Sequence, residues 1–232
     1  MAAAAEVRAM FARVAPRYDR ANRLLSLGID SYWRRLAVRV AGLRAGEKVL
    51  DVCAGTGDLS LCLARHDARV TASDFCPEML DRAAGKAKRL PPAQRPRFLV
   101  ADSLALPFSS GQFDLVTVAF GVRNLADPVA GLREMARVLR PGGRLLVLEF
   151  SKPRLPLLRG AYLFYFRRIL PLLGSLISGD RQGAYAYLPR TVMAFPEGEE
   201  FLSMMTDAGL DSPSATRASF GIASIYRAER AP

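Results

Sequence analysis

Val49-Leu50-Asp51-Val52-Cys53-Ala54-Gly55-Thr56-Gly57-Asp58 reads as a short buried strand that turns through two glycines into a helix. Glycine at 55 and 57 lets the backbone approach a ligand closely. The free N–H groups that open the following helix suit an anionic end of that ligand. Alone, this pattern says only that a strand, a tight turn and a helix follow one another.

Outward from it the chain alternates. Strands are expected at 48–53, 69–74, 97–101, 113–120 and 144–150, and helices at 58–65, 77–89 and 127–139. Pro77 stands at the first turn of its helix, and Pro141-Gly142-Gly143 stops the last one. Arg144-Leu-Leu-Val-Leu-Glu-Phe150 is apolar without alternation, as in a parallel sheet buried on both faces. Alternating strands and helices give an α/β doubly wound fold. Two late strands, 214–219 and 222–227, are separated only by Phe220-Gly221, a hairpin connection that makes one of them antiparallel.

The position of a third glycine in GxGxxG is Ser60, which argues against a dinucleotide. Asp74 ends the next strand, where a carboxylate accepts both ribose hydroxyls. Asp102 and Ser103 follow the third strand, where a side chain meets an adenine amino group. Acids at successive strand ends point to S-adenosylmethionine. Asp51, Gly55, Thr56, Gly57, Asp74, Phe75, Asp102 and Ser103 are its expected binding residues. The expected fold is therefore that of a class I, Rossmann-like methyltransferase. It has a seven-stranded, mostly parallel sheet ending in an antiparallel hairpin, with N-terminal and inserted helices.

The 232 residues suit one domain. Residues 1–45 are expected to form an N-terminal helical lid and 46–151 the cofactor-binding core. Residues 152–196 are expected to cover the substrate, and 197–232 to supply a final helix and the hairpin. Cys53, Cys62 and Cys76 form no CxxC pair and His66 is the only histidine, so no metal is expected. The cysteines read as small hydrophobes of a reduced, cytoplasmic protein without a secretion signal. His66, at a helix end, is expected to face solvent.

Net charge is +11, and 29 of the 33 basic residues are Arg. That excess reflects either an anionic partner or a compositional bias. In 154–178, Leu158, Tyr162, Tyr165, Ile169, Leu172 and Leu176 form a helical stripe. The stripe packs on the core, covers a hydrophobic substrate or touches a membrane. The longest uncharged run there, 169–179, has 11 residues, short of the roughly 20 that span a bilayer.

Several stretches resemble the ubiquinone/menaquinone C-methyltransferase family. Tyr18-Asp19-Arg-Ala-Asn22-Arg-Leu-Leu-Ser26-Leu-Gly28-Ile-Asp30-Ser-Tyr-Trp33 is similar to its first signature. Arg137-Val-Leu-Arg-Pro-Gly-Gly-Arg-Leu-Leu-Val-Leu-Glu149-Phe-Ser151-Lys-Pro153 is similar to its second. Phe120-Gly-Val-Arg123-Asn124-Leu-Ala-Asp127 and Tyr185-Ala-Tyr187-Leu-Pro-Arg-Thr-Val-Met-Ala-Phe195-Pro196 also match, so the resemblance runs from about residue 8 to 227. Asp30 departs from it, because the family usually has His there.

The resemblance implies methyl transfer to a ring carbon of a polyprenyl quinol. The acceptor is demethylmenaquinol or, alternatively, the methoxy-polyprenyl-benzoquinol of ubiquinone synthesis. The short N-terminus and Cys53 favour the menaquinone branch. Arg123 is expected to steady the phenolate and Asn124 to orient the ring or a water, and loop-fixing hydrogen bonds are the structural alternative for both. Tyr185 and Tyr187 are expected to line the quinol pocket, and Tyr18 and Asp19 to close a lid over the cofactor. A lipid substrate implies transient membrane-surface contact on the inner face of the cell membrane. A homodimer is left open.

Nucleic acid is not expected as a partner. The Asn/Asp-Pro-Pro-Tyr/Phe motif of amino-methylating enzymes is replaced by Phe120-Gly-Val-Arg-Asn124. Ser60 and the hairpin disfavour a nicotinamide oxidoreductase. A binding protein that keeps this fold without chemistry is the remaining rival. The intact cofactor positions and Arg123-Asn124 weigh against it.

Overall fold

The computed structural model describes residues 4–178 and 183–231. Three helices lead the chain: α1 (Ala4–Val14), α2 (Tyr18–Leu25) and α3 (Ile29–Ala41). The alternating part follows as β1 (Lys48–Val52), α4 (Asp58–Ala64), β2 (Arg69–Asp74), α5 (Pro77–Ala87), β3 (Arg97–Val100), β4 (Phe113–Ala119), α6 (Pro128–Val138) and β5 (Leu139–Phe150). Four helices precede the last strands: α7 (Pro156–Phe164), α8 (Leu170–Ser178), α9 (Ala184–Ala194) and α10 (Glu199–Asp207). The chain closes with β6 (Leu210–Ala218) and β7 (Ala223–Arg230).

The strands form one seven-stranded sheet in the order β3-β2-β1-β4-β5-β7-β6. The first five run parallel, whereas β7 is antiparallel to both β5 and β6. The Phe220-Gly221 turn thus makes the expected hairpin. It also inserts β7 between β5 and β6, an order that hairpin spacing alone does not specify. Strand order reverses between β1 and β4. The crevice beyond their carboxyl ends is where open α/β sheets bind ligands.

Sheet burial follows from composition. Val49, Leu50 and Val52 of β1, Leu115, Val116 and Val118 of β4, and Leu145 to Leu148 of β5 are fully enclosed. Each such side chain contributes about 1.5–3 kcal/mol relative to exposure. One face packs on α6 and α10 through Leu132, Met135, Phe201 and Met205. The other packs on α3 and α4 through Trp33, Ala37, Leu61 and Leu63. Asp127 accepts the Ala130 backbone N–H at 2.9 Å and caps α6 ahead of Pro128.

Two local readings need correction. The fifth strand begins at Leu139 and not at Arg144. Leu139 pairs with Phe113, and the ladder resumes at Leu115 and Arg144. Pro141-Gly142-Gly143 is therefore a bulge within the strand, with Gly142 at a φ of 67°. The helical stripe also differs. A π-helical turn, Tyr165–Ile169, joins α7 to α8. Its wider turn keeps side chains four apart in line, so the buried face is Tyr162, Phe166, Leu170 and Gly174. Leu172 and Leu176 consequently point outward, 68% and 79% exposed. Among the described residues no helix is long and apolar enough to cross a membrane.

Candidate active site

Two loops meet at the reversal of strand order. After β1, Cys53 takes a φ of 52°, and after β4, Phe120 takes 59°. Left-handed backbone at a non-glycine residue costs roughly 1–3 kcal/mol and persists where surroundings over-determine it. The surroundings here are each other. A Cβ on Gly121 would lie 2.5 Å from the Cβ of Cys53, so only glycine allows the two loops this approach. Ala54 donates its N–H to Ser73 O at 2.9 Å, tying the first loop to β2.

The resulting cleft is lined by Gly55, Asp74, Phe75, Asp102, Ser103 and Asn124. Asp74 accepts the N–H groups of Gly55 and Cys76 at 2.8 and 2.9 Å. Burial raises its pKa, against the pull of those N–H donors. Asp102 is exposed and accepts the Leu104 N–H at 2.9 Å. Ser103 Oγ lies 3.3 Å from Cys53 Sγ. Burial, aided by Asp74, pushes the Cys53 thiol up to about 12.

Three residues expected at the cofactor have partners within the protein. Asp51 does not line the cleft. It is enclosed beneath the loop, where its oxygens accept the hydroxyls of Ser60 at 2.5 Å and Thr117 at 2.7 Å. Burial pushes its carboxyl up to about 6. Ser60, which stands for the missing third glycine, is thus the partner of Asp51. Thr56 also turns away and donates its hydroxyl to Asp19 of α2 at 2.5 Å. Gly57 packs on α5, where a Cβ would lie 2.8 Å from that of Ala83. These three shape the loop from behind. His66 is exposed, as expected, with Nδ1 2.9 Å from Cys62 O.

The N-terminal helices cover the cleft. Asp19 is held by Lys86 at 2.8 Å, and Lys86 reaches Asp58 at 2.5 Å. Phe11 and Tyr18 line the cleft from above. Tyr18 is raised in pKa by burial, with Arg123 opposing.

Phe11, Tyr18 and Phe120 also line a second, larger cavity of about 520 Å³. Its wall is aromatic and aliphatic: Trp33, Phe150, Tyr162, Phe166 and Leu170, together with Tyr185 and Tyr187. Gly174 makes room for the ring of Tyr185. Trp33 donates its indole N–H to Ser219 Oγ at 2.8 Å, which braces this wall against the hairpin. Asp30 lines the cavity too. It accepts from Ser26 at 2.8 Å and pairs with Arg34 at 2.5 Å, so this carboxylate is fully engaged.

Arg123 and Asn124 occupy a short 3₁₀ turn, Val122–Asn124, and face different spaces. Asn124 lines the cleft and Arg123 the cavity. Arg123 is not a lone cation. Its Nη1 donates to both carboxylate oxygens of Glu149 at 3.0 and 2.9 Å and to Phe120 O. Both side chains are buried, 7% and 1% exposed. The pair is therefore close to neutral overall, and Glu149, raised in pKa by burial, is a site residue to which sequence reasoning gave no role. Its one signal was an acid ending an otherwise apolar strand. Among the described residues, Arg123 Nε and Asn124 Oδ1 are buried without a hydrogen-bond partner. Such atoms are costly unless a ligand completes them.

The site residues fit S-adenosylmethionine. Asp74 offers a carboxylate of the kind that accepts ribose hydroxyls, Asn124 Oδ1 an unused acceptor, and Gly55 open space where a Cβ would project. The ubiE/COQ5 methyltransferase family matches residues 1–230. The chain is 49% identical to the demethylmenaquinone methyltransferase of Thermus thermophilus, over 95% of this chain and 100% of the relative. It is 45% identical to the ubiquinone/menaquinone biosynthesis C-methyltransferase of Geobacter sulfurreducens, over 97% of this chain and 88% of the relative. A solved S-adenosylmethionine-dependent methyltransferase from Thermotoga maritima superposes with a TM-score of 0.67 at 17% identity, covering 95% of this chain and 98% of that one, a likeness of fold. The class I methyltransferase sheet and a family match over nearly every residue agree: the chain belongs to the ubiE/COQ5 methyltransferase family.

Proposed function

We propose that the enzyme methylates a ring carbon of a polyprenyl quinol, demethylmenaquinol above all, in its 520 Å³ apolar cavity. The observation that carries this reading is the wall of Phe11, Tyr18 and Phe120, shared by the cofactor cleft and the cavity. An aromatic ring in the cavity and a cofactor in the cleft are flanked by the same three side chains.

When bound, S-adenosylmethionine supplies an activated methyl group for direct transfer to a nucleophilic carbon. Asp74 holds the ribose end and Asn124 Oδ1 accepts a hydrogen bond at the same cleft. On the acceptor side, Arg123 Nε donates to a ring oxygen and favours its deprotonated form. Glu149 positions that donor and keeps the cavity from carrying a net charge, which suits an apolar substrate. Tyr18, raised in pKa, stays protonated at neutral pH where the cleft and the cavity meet. The aromatic wall excludes water, so positioning supplies most of the acceleration.

Menaquinone is preferred over ubiquinone chemistry because the Thermus relative is a demethylmenaquinone methyltransferase at 49% identity. Incubation with S-adenosylmethionine and reduced demethylmenaquinone should give a product heavier by one methyl for hydrogen. Turnover only on the methoxy-benzoquinol shifts the reading to the ubiquinone branch. Cofactor binding with no turnover of either quinol overturns it in favour of a binding protein.

A further inference from the structure

The cavity opens to the surface through leucines. Leu24, Leu27, Ile29 and Leu173 both line it and stand exposed, Leu27 by 87%. Leu27 is also held at a φ of 51°, unusual for a leucine. Beside this mouth, the π turn sets Phe164, Arg168, Leu172 and Leu176 in one outward row, opposite the buried row. Tyr165 donates its hydroxyl to Leu25 O at 2.8 Å and fastens this helical arm to the α2–α3 turn. A surface helix with apolar residues on both faces is suited to burial on its outer side as well.

Charge identifies what covers it. Residues 20–29 and 151–178 contain no Asp or Glu, but carry Arg20, Arg23, Lys152, Arg154, Arg159, Arg167 and Arg168. Arg20, Arg23, Arg167 and Arg168 are exposed around the leucines. Asp30, next to Ile29, is buried and paired with Arg34, within 4.0 Å of Arg23. Exposed leucines ringed by exposed arginines fit an anionic lipid surface.

We infer that the α2–α3 turn and the outward row of the α7–α8 arm form one docking face, which seats the mouth of the cavity on an anionic bilayer so that the acceptor enters directly from lipid. The identity of that acceptor rests on the polyprenyl quinol reading; the docking face does not.

The test uses the whole protein and vesicles of phosphatidylcholine with or without phosphatidylglycerol. Wild type should float with anionic vesicles and be released by salt. The double variant Leu172→Ser/Leu176→Ser changes exposed residues outside the cavity lining and should partition about tenfold more weakly or worse. Arg168→Gln should lose about fivefold, on anionic vesicles only. The double variant should keep turnover on a short-tailed, water-soluble quinol and lose it on a long-tailed quinol in vesicles. Wild type that ignores anionic vesicles overturns the inference, as does a double variant that binds like wild type. It is equally overturned if sedimentation shows a dimer that the double variant dissociates, because a second copy then covers the face. Vesicle binding without turnover of any quinol would defeat the substrate reading and leave the docking face standing.

Discussion

Asp51→Asn should stabilise the protein in a way that grows with pH. The Asp51 carboxyl is 1% exposed and held by two hydroxyl donors, and its pKa rises from the ordinary 3.8 to about 6. A raised value means that the folded state holds the proton more tightly. Stability therefore falls as pH climbs from 3.8, and the loss is complete above about 6. At about 1.4 kcal/mol per pH unit, this amounts to about 3 kcal/mol above pH 7 and about 1 kcal/mol at pH 4.5. Asparagine carries no such charge. Its amide does force one of the two hydroxyls to turn its proton elsewhere, a constant loss of about 1 kcal/mol. The variant should thus match wild type near pH 4.5 and exceed it by about 2 kcal/mol near pH 8. Urea unfolding followed by fluorescence of Trp33, the single and buried tryptophan, measures both. A difference that stays flat across this range refutes the reasoning, because burial would then not be what the carboxylate opposes.

Other perturbations act through single contacts. Asp127→Ala removes the cap of α6 and should cost about 1 kcal/mol in urea unfolding. Gly121→Ala drives a Cβ to 2.5 Å from that of Cys53; it should cost about 1–3 kcal/mol and weaken cofactor binding measured by calorimetry. Glu149→Leu strands Arg123 in the cavity wall and should cost about 3–5 kcal/mol, whereas Glu149→Gln, which keeps a hydrogen-bond acceptor, should cost less. The Cys53 thiol, pushed up to about 12, should alkylate at least about tenfold more slowly at pH 8 in the folded protein than in urea, followed by peptide mass mapping.

How far the site was legible depends on whether each residue's partner was near in sequence. That Asp74, Asp102 and Ser103 share one cleft was readable because Asp74 ends β2 and the other two come two and three residues after β3, and strand ends in a parallel sheet share one edge. Arg123-Asn124 was readable for the same reason, following β4. That the two face different spaces was not, because a 3₁₀ turn sets their divergence. The partners of Asp51 were not readable, because a sequence shows an acid before a glycine loop but not Thr117, 66 residues away, that donates to it.

The sequence by itself determined the alternation of strands and helices, the acids at successive strand ends, and the closing hairpin. Those features follow from local periodicity and from turn residues, which act over a few neighbours. Only the tertiary structure decided that Glu149 neutralises Arg123, that α1 and α2 share a wall with Phe120, and that the π turn faces Leu172 and Leu176 outward. The first two join residues from 26 to about a hundred positions apart. Which of several chemically suitable partners meet is fixed by packing, since a close-packed interior admits one arrangement of those side chains and excludes the others.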